Sequence, residues 1–340
     1  MNLVRSLLQQ ERDVNYQFFC KEIHTELFSD YLKNDDRIIT VAIKNRFQQL
    51  YFYEFSLHKY LLKNNTDIFL ATHYITPKAN NAYKIISIFH DMGFILHPDY
   101  YPKIKQIYFS RQIPTFIKRA DKIITVSNST LNDLTKHFPE SSEKSLCIYP
   151  GTDHIKRKPS ANKSASTPPF ILAVNSFEKR KNIPFILEIF SMLKTKYNIP
   201  HQLYLVGQQN NHSTHLKNLI SNLKLKNSVQ IYANVTNEDL HKFYNDAQFF
   251  ISTSQYEGFG FTPFEAIKSG LPAFLFKNAV CEEFFGNHEY VIENTDPDVW
   301  ADLIFEKMNK GFPKALNQSI FEELTWSNTS KSFLDLFKGM

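Results

Sequence analysis

What most limits the fold of this chain is an alternation of short β-rich runs and helical stretches that runs through twice. In the first half the runs are NYQFFC (15–20), RIITVAI (37–43), DIFLAT (67–72), KIISIF (84–89), KIITVS (122–127) and SLCIYP (145–150). Helical patterns lie between them, notably at 46–63, 101–119 and 129–137. The stretch GTDHIKRKPSANKSASTPP (151–169) is rich in Ser, Lys and Pro, has no apolar period, and reads as a linker. The alternation then restarts with FILAV (170–174), QLYLVG (202–207), VQIYAN (229–234), QFFIST (248–253) and PAFLF (272–276). Helices are predicted there at 183–196, 213–223, 237–246, 263–269, 279–285, 298–309 and 327–338. Strands alternating with helices predict an α/β chain with parallel, doubly wound sheets. The interruption predicts two Rossmann-like domains, 1–150 and 170–325, facing each other across a cleft, and 340 residues suffice for both. A last helix, 326–340, is expected to pack back on the first domain.

Composition narrows the function. A hydrophobic fraction of 43% with 21% charged residues belongs to a globular protein. Cys20, Cys147 and Cys281 are far apart and form no CxxC or His/Cys cluster, which argues against a disulfide scaffold and structural zinc. No apolar run approaches the ~18 residues of a spanning helix, and charges in MNLVRSLLQQERD come too early for a signal peptide. The chain is therefore expected to be cytoplasmic, or at most peripheral at the inner face of the membrane. Residues 1–160 carry 22 Lys and Arg against 16 Asp and Glu, so the net charge of +5 resides in this half. Its densest part, YYPKIKQIYFSRQIPTFIKRADK (100–122), is either a solvated helix face or a surface that rests against anionic lipid. The bias is modest and no nucleic-acid motif accompanies it, so no nucleic-acid partner is expected.

In doubly wound sheets ligands sit outside the carboxyl ends of the strands, which directs attention to the residues after each run. After QFFIST comes SQYEGFGFTPFEAIKSGLP (254–272), with Glu257 and Glu265 on either side of Gly258 and Gly260. Thr262, Pro263 and Glu265 match a helix start with a capping box, giving Glu265 a structural role. Glu257 has no such local role, and the glycines let backbone amides face an anionic ligand at the helix N-terminus. After FILAV come Lys179, Arg180 and Lys181, just outside a helix that Asn182 can cap. Cations are unfavourable at a helix start, so the run is either solvated or holds a bound anion such as phosphate. After KIISIF come His90 and Asp91, either a polar exit from the sheet or a pair facing a ligand. Asp296-Pro297-Asp298 resembles a metal-binding Asp-x-Asp but reads as a helix start. LYLVGQQNN has one glycine and no G-x-G-x-x-G, which disfavours a nicotinamide cofactor.

Together these residues resemble a known family. SQYEGFGFTPFEAIKSGLP is similar to the Glu-x7-Glu motif of retaining glycosyltransferases of the glycogen synthase and sucrose synthase type (glycosyltransferase group 1), which have the GT-B fold. The likeness continues, in the family's order, through IFHDMGFILHPDYYP, RADKIITVSNSTLNDL, IYPGTD and ILAVNSFEKRKNIPFILEIF, and covers most of residues 84–338. The resemblance implies that Glu257 holds donor-sugar hydroxyls and that the amides of Gly258, Phe259 and Gly260, beside Thr262, bind sugar and phosphate. It implies that Glu265 bonds the ribose, that Lys181 neutralises the diphosphate, and that His90 lies at the reacting centre. The family's arginine falls where this chain has Asn175-Ser176, and Arg180 is the candidate to replace it. Members open with a strand and a glycine-rich turn, whereas MNLVRSLLQQ matches the helix that follows, so the first strand is expected to be missing.

The expected activity is retaining, metal-independent transfer of a hexose from a nucleotide-diphosphate sugar to a glycan or lipid-linked acceptor, in bacterial surface polysaccharide (lipopolysaccharide or capsule) biosynthesis. No cofactor is expected. Two other functions fit the same features: a non-catalytic GT-B subunit of a transferase complex, and a nucleotide-sugar epimerase.

Overall fold

A computed structural model describes residues 2–10, 14–20, 32, 36–40, 48, 51–79, 81–154, 168–208, 213–286, 288–312 and 319–340. The chain divides into two compact units. Unit 1 comprises Met1–Leu96, Pro102–His154 and Glu323–Met340, and unit 2 comprises His97–Tyr101 and Ile155–Glu322. Most of the predicted linker (155–167), the end of the second predicted strand (41–43) and residues 46, 47, 49 and 50 of the first predicted helix lie outside the described residues.

Unit 1 contains α1 (Asn2–Gln9), β1 (Gln17–Cys20), β2 (Arg37–Thr40), a π-helical turn (Phe52–Ser56) that runs into α2 (Leu57–Lys63), and β3 (Ile68–Ala71). It continues with β4 (Lys84–Phe89), α3 (Gly93–Leu96), α4 (Lys103–Arg119), β5 (Lys122–Thr125), α5 (Asn128–His137) and β6 (Ser145–Cys147). Its strands are parallel and fall in two sheets, β1-β2 and β3-β4-β5-β6. The α1 helix buries Leu7 and Leu8, and its Ser6 hydroxyl donates to the Trp326 carbonyl at 2.8 Å and meets Ser330 at 2.9 Å. These contacts fix the C-terminal helix, Trp326–Lys338, in unit 1. Gly151 permits a close passage, since a Cβ there would lie 2.1 Å from the Trp326 nitrogen.

Unit 2 contains β7 (Phe170–Val174), α6 (Ile183–Tyr197), β8 (Gln202–Val206), α7 (Ser213–Asn222), β9 (Val229–Tyr232), α8 (Asn237–Asp246) and β10 (Phe249–Ser252). Then follow α9 (Phe261–Lys268), β11 (Ala273–Phe276), α10 (Ala279–Phe285), the two-residue β12 (Val291–Ile292) and α11 (Pro297–Lys310). All six strands are parallel, in the order β12-β11-β10-β7-β8-β9. Alternate residues of β7 bury on opposite faces. Ile171 and Ala173 join the core of α6 and Trp300, while Phe170, Leu172 and Val174 pack with Tyr244, Ala266 and Ile267. A strand covered on both faces must be apolar throughout, which is why FILAV has no polar alternation. The strand order reverses between β7 and β10. Such a reversal opens a crevice at the carboxyl edge, where ligands bind in sheets of this kind.

Candidate active site

The carboxyl ends of β7 and β10 lie side by side, because Ile171 pairs with Phe249 and Leu172 with Phe250. The loops that leave them are tied together. The Gln255 amide donates to the Arg180 carbonyl at 2.9 Å, and the Thr253 hydroxyl donates to the carbonyls of Lys181 (3.1 Å) and Asn182 (2.9 Å). Lys179–Lys181 form one 3-10 turn, and Asn182 takes a left-handed conformation (φ 47°) that redirects the chain into α6. Asn182 occupies the cap position as expected, but its side chain makes no capping bond; Pro184 stands in the first turn.

Glu257 is the hub of this corner. Arg180 Nη1 donates to its Oε2 at 2.8 Å, and Lys181 Nζ bonds its Oε1. Arg180 also reaches the Glu178 carboxylate (2.8 Å) and the Tyr256 carbonyl (3.2 Å). The Glu257 and Lys181 side chains are each 10% exposed. Burial pushes the Glu257 carboxyl upward, but the charges of Lys181 and Arg180 and hydrogen bonds from Lys181 and Ser254 outweigh it and hold the group below its usual range. Two expectations are corrected. Glu257 does have a structural partner set, formed 76 and 77 residues away in sequence, and Arg180 and Lys181 are neither solvated nor unpaired. Lys179 instead bonds Asp99 at 2.7 Å, in a short segment of unit 2 whose Tyr100 hydroxyl donates to Gln255 at 2.7 Å.

The helix after Glu257 starts two residues earlier than predicted. Gly260, at φ 79°, occupies the cap position of α9, and the capping box of Thr262 and Glu265 does not form. Thr262 lies inside the first turn, half-buried, and Glu265 accepts a 2.8 Å hydrogen bond from the buried Tyr244 hydroxyl. Burial and the Glu265 charge raise the Tyr244 phenol well above its ordinary value, so it remains a donor. Gly258 is buried, and the Phe259 ring stacks on Phe264 at 4.6 Å. Only the backbone of residue 259 is therefore left to face a ligand.

Several residues here were missed from sequence. Asn278 caps α10 by accepting from the Cys281 amide (3.0 Å), and its Nδ2 donates to the Ser254 carbonyl at 2.9 Å. Its place before an apolar helix marked it as a cap, but nothing local linked it to Ser254. Glu257, Ser254, Asn278 and Cys281 line a cavity of about 10 Å³, room for one water. The Cys281 thiol is pushed up to about 12, by burial first and by Glu257 second, so it is not a reactive group.

His90 belongs to unit 1. It is exposed at the end of β4, and its Nε2 lies 2.8 Å from the Thr72 carbonyl, which makes that nitrogen the donor. Asp91 accepts from the Gly93 amide at 2.9 Å and so shapes the start of α3. His73, at the end of β3, lies near His90; burial and then the His90 charge lower its pKa. Asp296 caps α11 through the Asp298 amide at 2.9 Å, in keeping with a helix start. No group of three His, Cys, Asp or Glu suited to a metal ion occurs among the described residues.

Comparison with known proteins meets this geometry. The family described as glycosyl transferases group 1 matches residues 154–319, and glycosyltransferase family 4 matches residues 1–156. The chain is 26% identical over 311 residues to the O-antigen chain mannosyltransferase RfbU of Salmonella typhimurium, covering 87% of this chain and 82% of that one. It is 22% identical over 267 residues to O-antigen chain mannosyltransferase B of Escherichia coli, covering 75% and 70%. In structure it is similar to a glycosyltransferase from Rickettsia africae (TM-score 0.71, 17% identity, 99% and 93% covered). It is also similar to WaaG, described as a glycosyltransferase involved in lipopolysaccharide biosynthesis (TM-score 0.61, 15% identity, 94% and 95% covered). The paired loops after β7 and β10 lie within the group 1 match, and the two matches together span residues 1–319. The chain is a glycosyltransferase of the GT-B fold, its residues 154–319 matching group 1 and its residues 1–156 matching family 4.

Proposed function

We propose that this glycosyltransferase moves a mannosyl residue from a nucleoside-diphosphate sugar to a glycan or lipid-linked acceptor, with retention and without a metal ion or resident cofactor, in bacterial surface polysaccharide assembly. The observation that carries the reading is the Lys181–Glu257–Arg180 cluster at the switch point of unit 2. Cleavage of a sugar–phosphate bond places negative charge on the departing diphosphate. Two fixed cations and the amides of Gly258, Phe259 and Gly260 can stabilise that charge, and preorganised groups of this kind supply much of an enzyme's rate enhancement. Glu257 pairs with both cations. A diphosphate that takes them over frees the carboxylate to accept from the hexose hydroxyls. Glu265, held by Tyr244, accepts from the ribose. The family resemblance implies a place for His90 beside the reacting sugar.

The step breaks the bond from the anomeric carbon to the diphosphate oxygen and forms a bond from that carbon to the acceptor oxygen on the same face. The acceptor proton passes to the departing phosphate oxygen. The choice of mannose rests on the similar O-antigen mannosyltransferases and on the likeness to a GDP-mannose:cellobiosyl-diphosphopolyprenol alpha-mannosyltransferase (24% over 180 residues). An encounter at the inner membrane surface is supported by α4, where Ile104 (80% exposed) and Ile107 (54%) stand among Lys103, Lys105 and Arg111.

The test supplies GDP-mannose and other nucleotide sugars with membrane-extracted acceptors, with and without EDTA. It reads nucleoside diphosphate release and the anomeric configuration of the product. Unchanged release in Glu257→Ala and Lys181→Ala would refute the site. Absence of a thermal shift with any nucleotide would favour the non-catalytic subunit. Conversion of the donor without an acceptor would favour the epimerase.

A further inference from the structure

The residue that directly follows β7 is Asn175, at the strand end where the sheet order reverses. It is 5% exposed, and both its Oδ1 and its Nδ2 are buried without a hydrogen-bond partner. The backbone around it is held firmly. Its amide donates to the Val206 carbonyl at 2.9 Å, and its own carbonyl packs against Gly207, where a Cβ would lie 1.8 Å away. The side chain thus cannot escape to water by a small backbone shift. Buried polar groups are nearly always paired, and one left with neither donor nor acceptor satisfied weakens the fold unless something else completes it.

We propose that Asn175 is a donor-binding residue whose amide pairs with a hydroxyl of the nucleotide sugar, on the ribose or on the hexose. The inference rests on the proposed transferase function of the same strand ends. A carboxamide offers a carbonyl that accepts and an NH2 that donates. A phosphate oxygen only accepts, so it would leave Oδ1 unpaired. A hydroxyl both donates and accepts, and one hydroxyl, or a neighbouring pair, completes both halves of the amide. Six residues further on in the sequence, Lys181 pairs with the Glu257 carboxylate; a neutral amide reads hydroxyl position without competing for the cations.

The test compares wild type, Asn175→Leu and Asn175→Asp by calorimetric titration with GDP, 2′-deoxy-GDP, 3′-deoxy-GDP and GDP-mannose, together with melting of the free proteins. Leucine removes both polar atoms and keeps the branched shape. Its free form is expected to melt no lower than wild type, while its affinity for GDP-mannose falls about tenfold or more. If the loss appears already with GDP, and wild type discriminates against a deoxy analogue while the variant does not, the partner is a ribose hydroxyl. If GDP binds both alike and only GDP-mannose is weakened, it is a hexose hydroxyl. Asn175→Asp retains the shape and an acceptor but places a charge near the diphosphate, and it is expected to bind more weakly still. Affinities equal to wild type in both variants overturn the proposal and leave the transferase function intact. Wild type binding none of the four ligands, nor any other nucleotide sugar, overturns both.

Discussion

The strand ends of the two units carry their polar residues in opposite ways. In unit 2, Arg180, Lys181 and Glu257 satisfy one another at 10–17% side-chain exposure, and the loops that bear them share four further backbone-linked hydrogen bonds. In unit 1, His90 stands exposed, and its Nε2 donates to the Thr72 carbonyl. The first arrangement is part of the fold. The second is close to independent of it. Substitutions should therefore separate stability from turnover in different proportions at the two places.

The largest effect is expected in unit 2. Lys181→Ala removes one partner of a buried ion pair and leaves Glu257 with Arg180 and the Ser254 hydroxyl. Breaking such a pair typically costs about 3–5 kcal/mol of stability, and loss of a preorganised charge at the diphosphate should lower turnover about 10²–10³-fold. Urea unfolding and donor turnover read the two losses. The double variant Lys181→Met/Glu257→Gln removes both charges at once. It is expected to regain much of the stability and none of the turnover, because an uncompensated charge and not a lost attraction weakens the single variant. Recovery of turnover in the double variant would show that the pair only shapes the loop. Next in size, His90→Ala should lower turnover about 10²-fold or more and change stability by less than about 0.5 kcal/mol, as exposed positions do. A drop in stability as large as that of Lys181→Ala would abolish the contrast between the units.

How far this contrast was legible in the sequence depends on range. Runs such as FILAV and QFFIST identify themselves as buried strands, and the double alternation led to two Rossmann-like halves, while GT-B came from the family resemblance of the motifs. The two-residue strand Val291–Ile292 is too short to stand out from its surroundings. Local signals misled where two structures share one pattern: Thr262, Pro263 and Glu265 spell a capping box, but Gly260 at φ 79° ends the loop first. Glu265 then bonds Tyr244, 21 residues away, which no local spacing encodes. The pairing of Glu257 with Arg180 and Lys181 follows from the adjacency of β7 and β10, so a reading that had assigned the 3-2-1-4-5-6 strand order would have reached it. Asn175 gives no sign of its unpaired amide, since that depends on what all its neighbours fail to offer.

Titration tests both units at once and with a smaller effect. His73 in unit 1 and His201 and His288 in unit 2 have lowered pKa values, each chiefly through burial. Protonation then favours the unfolded chain. The stability these groups contribute is fully present above the unfolded histidine value of about 6.5 and is lost as pH falls from there through the folded values. The Glu257 carboxyl is also held low, so its contribution persists until pH falls below the ordinary carboxylate range. Melting temperature should thus decline in two stages on acidification. His201→Gln should flatten the first stage and leave the second, and a first stage unchanged by it would assign the loss to the other two histidines.

The smallest effect concerns Tyr244 and Glu265. Tyr244→Phe removes the 2.8 Å hydrogen bond to the half-buried Glu265 carboxylate, and loss of such a bond is expected to cost about 1 kcal/mol. The phenyl ring keeps the packing against Phe250, so the loss should come from the hydroxyl alone. If Glu265 meets the ribose only when Tyr244 holds it, KM for the donor rises several-fold with kcat unchanged, because ground state and transition state lose the same contact. A 2′- or 3′-deoxyribose donor should then bind wild type and Tyr244→Phe alike. If the natural donor also binds both alike, Tyr244 serves only to join α8 to α9. The likeness between a capping glutamate and a ribose-binding one would then rest on sequence pattern alone, and the contrast between the units would narrow to the Glu257 cluster.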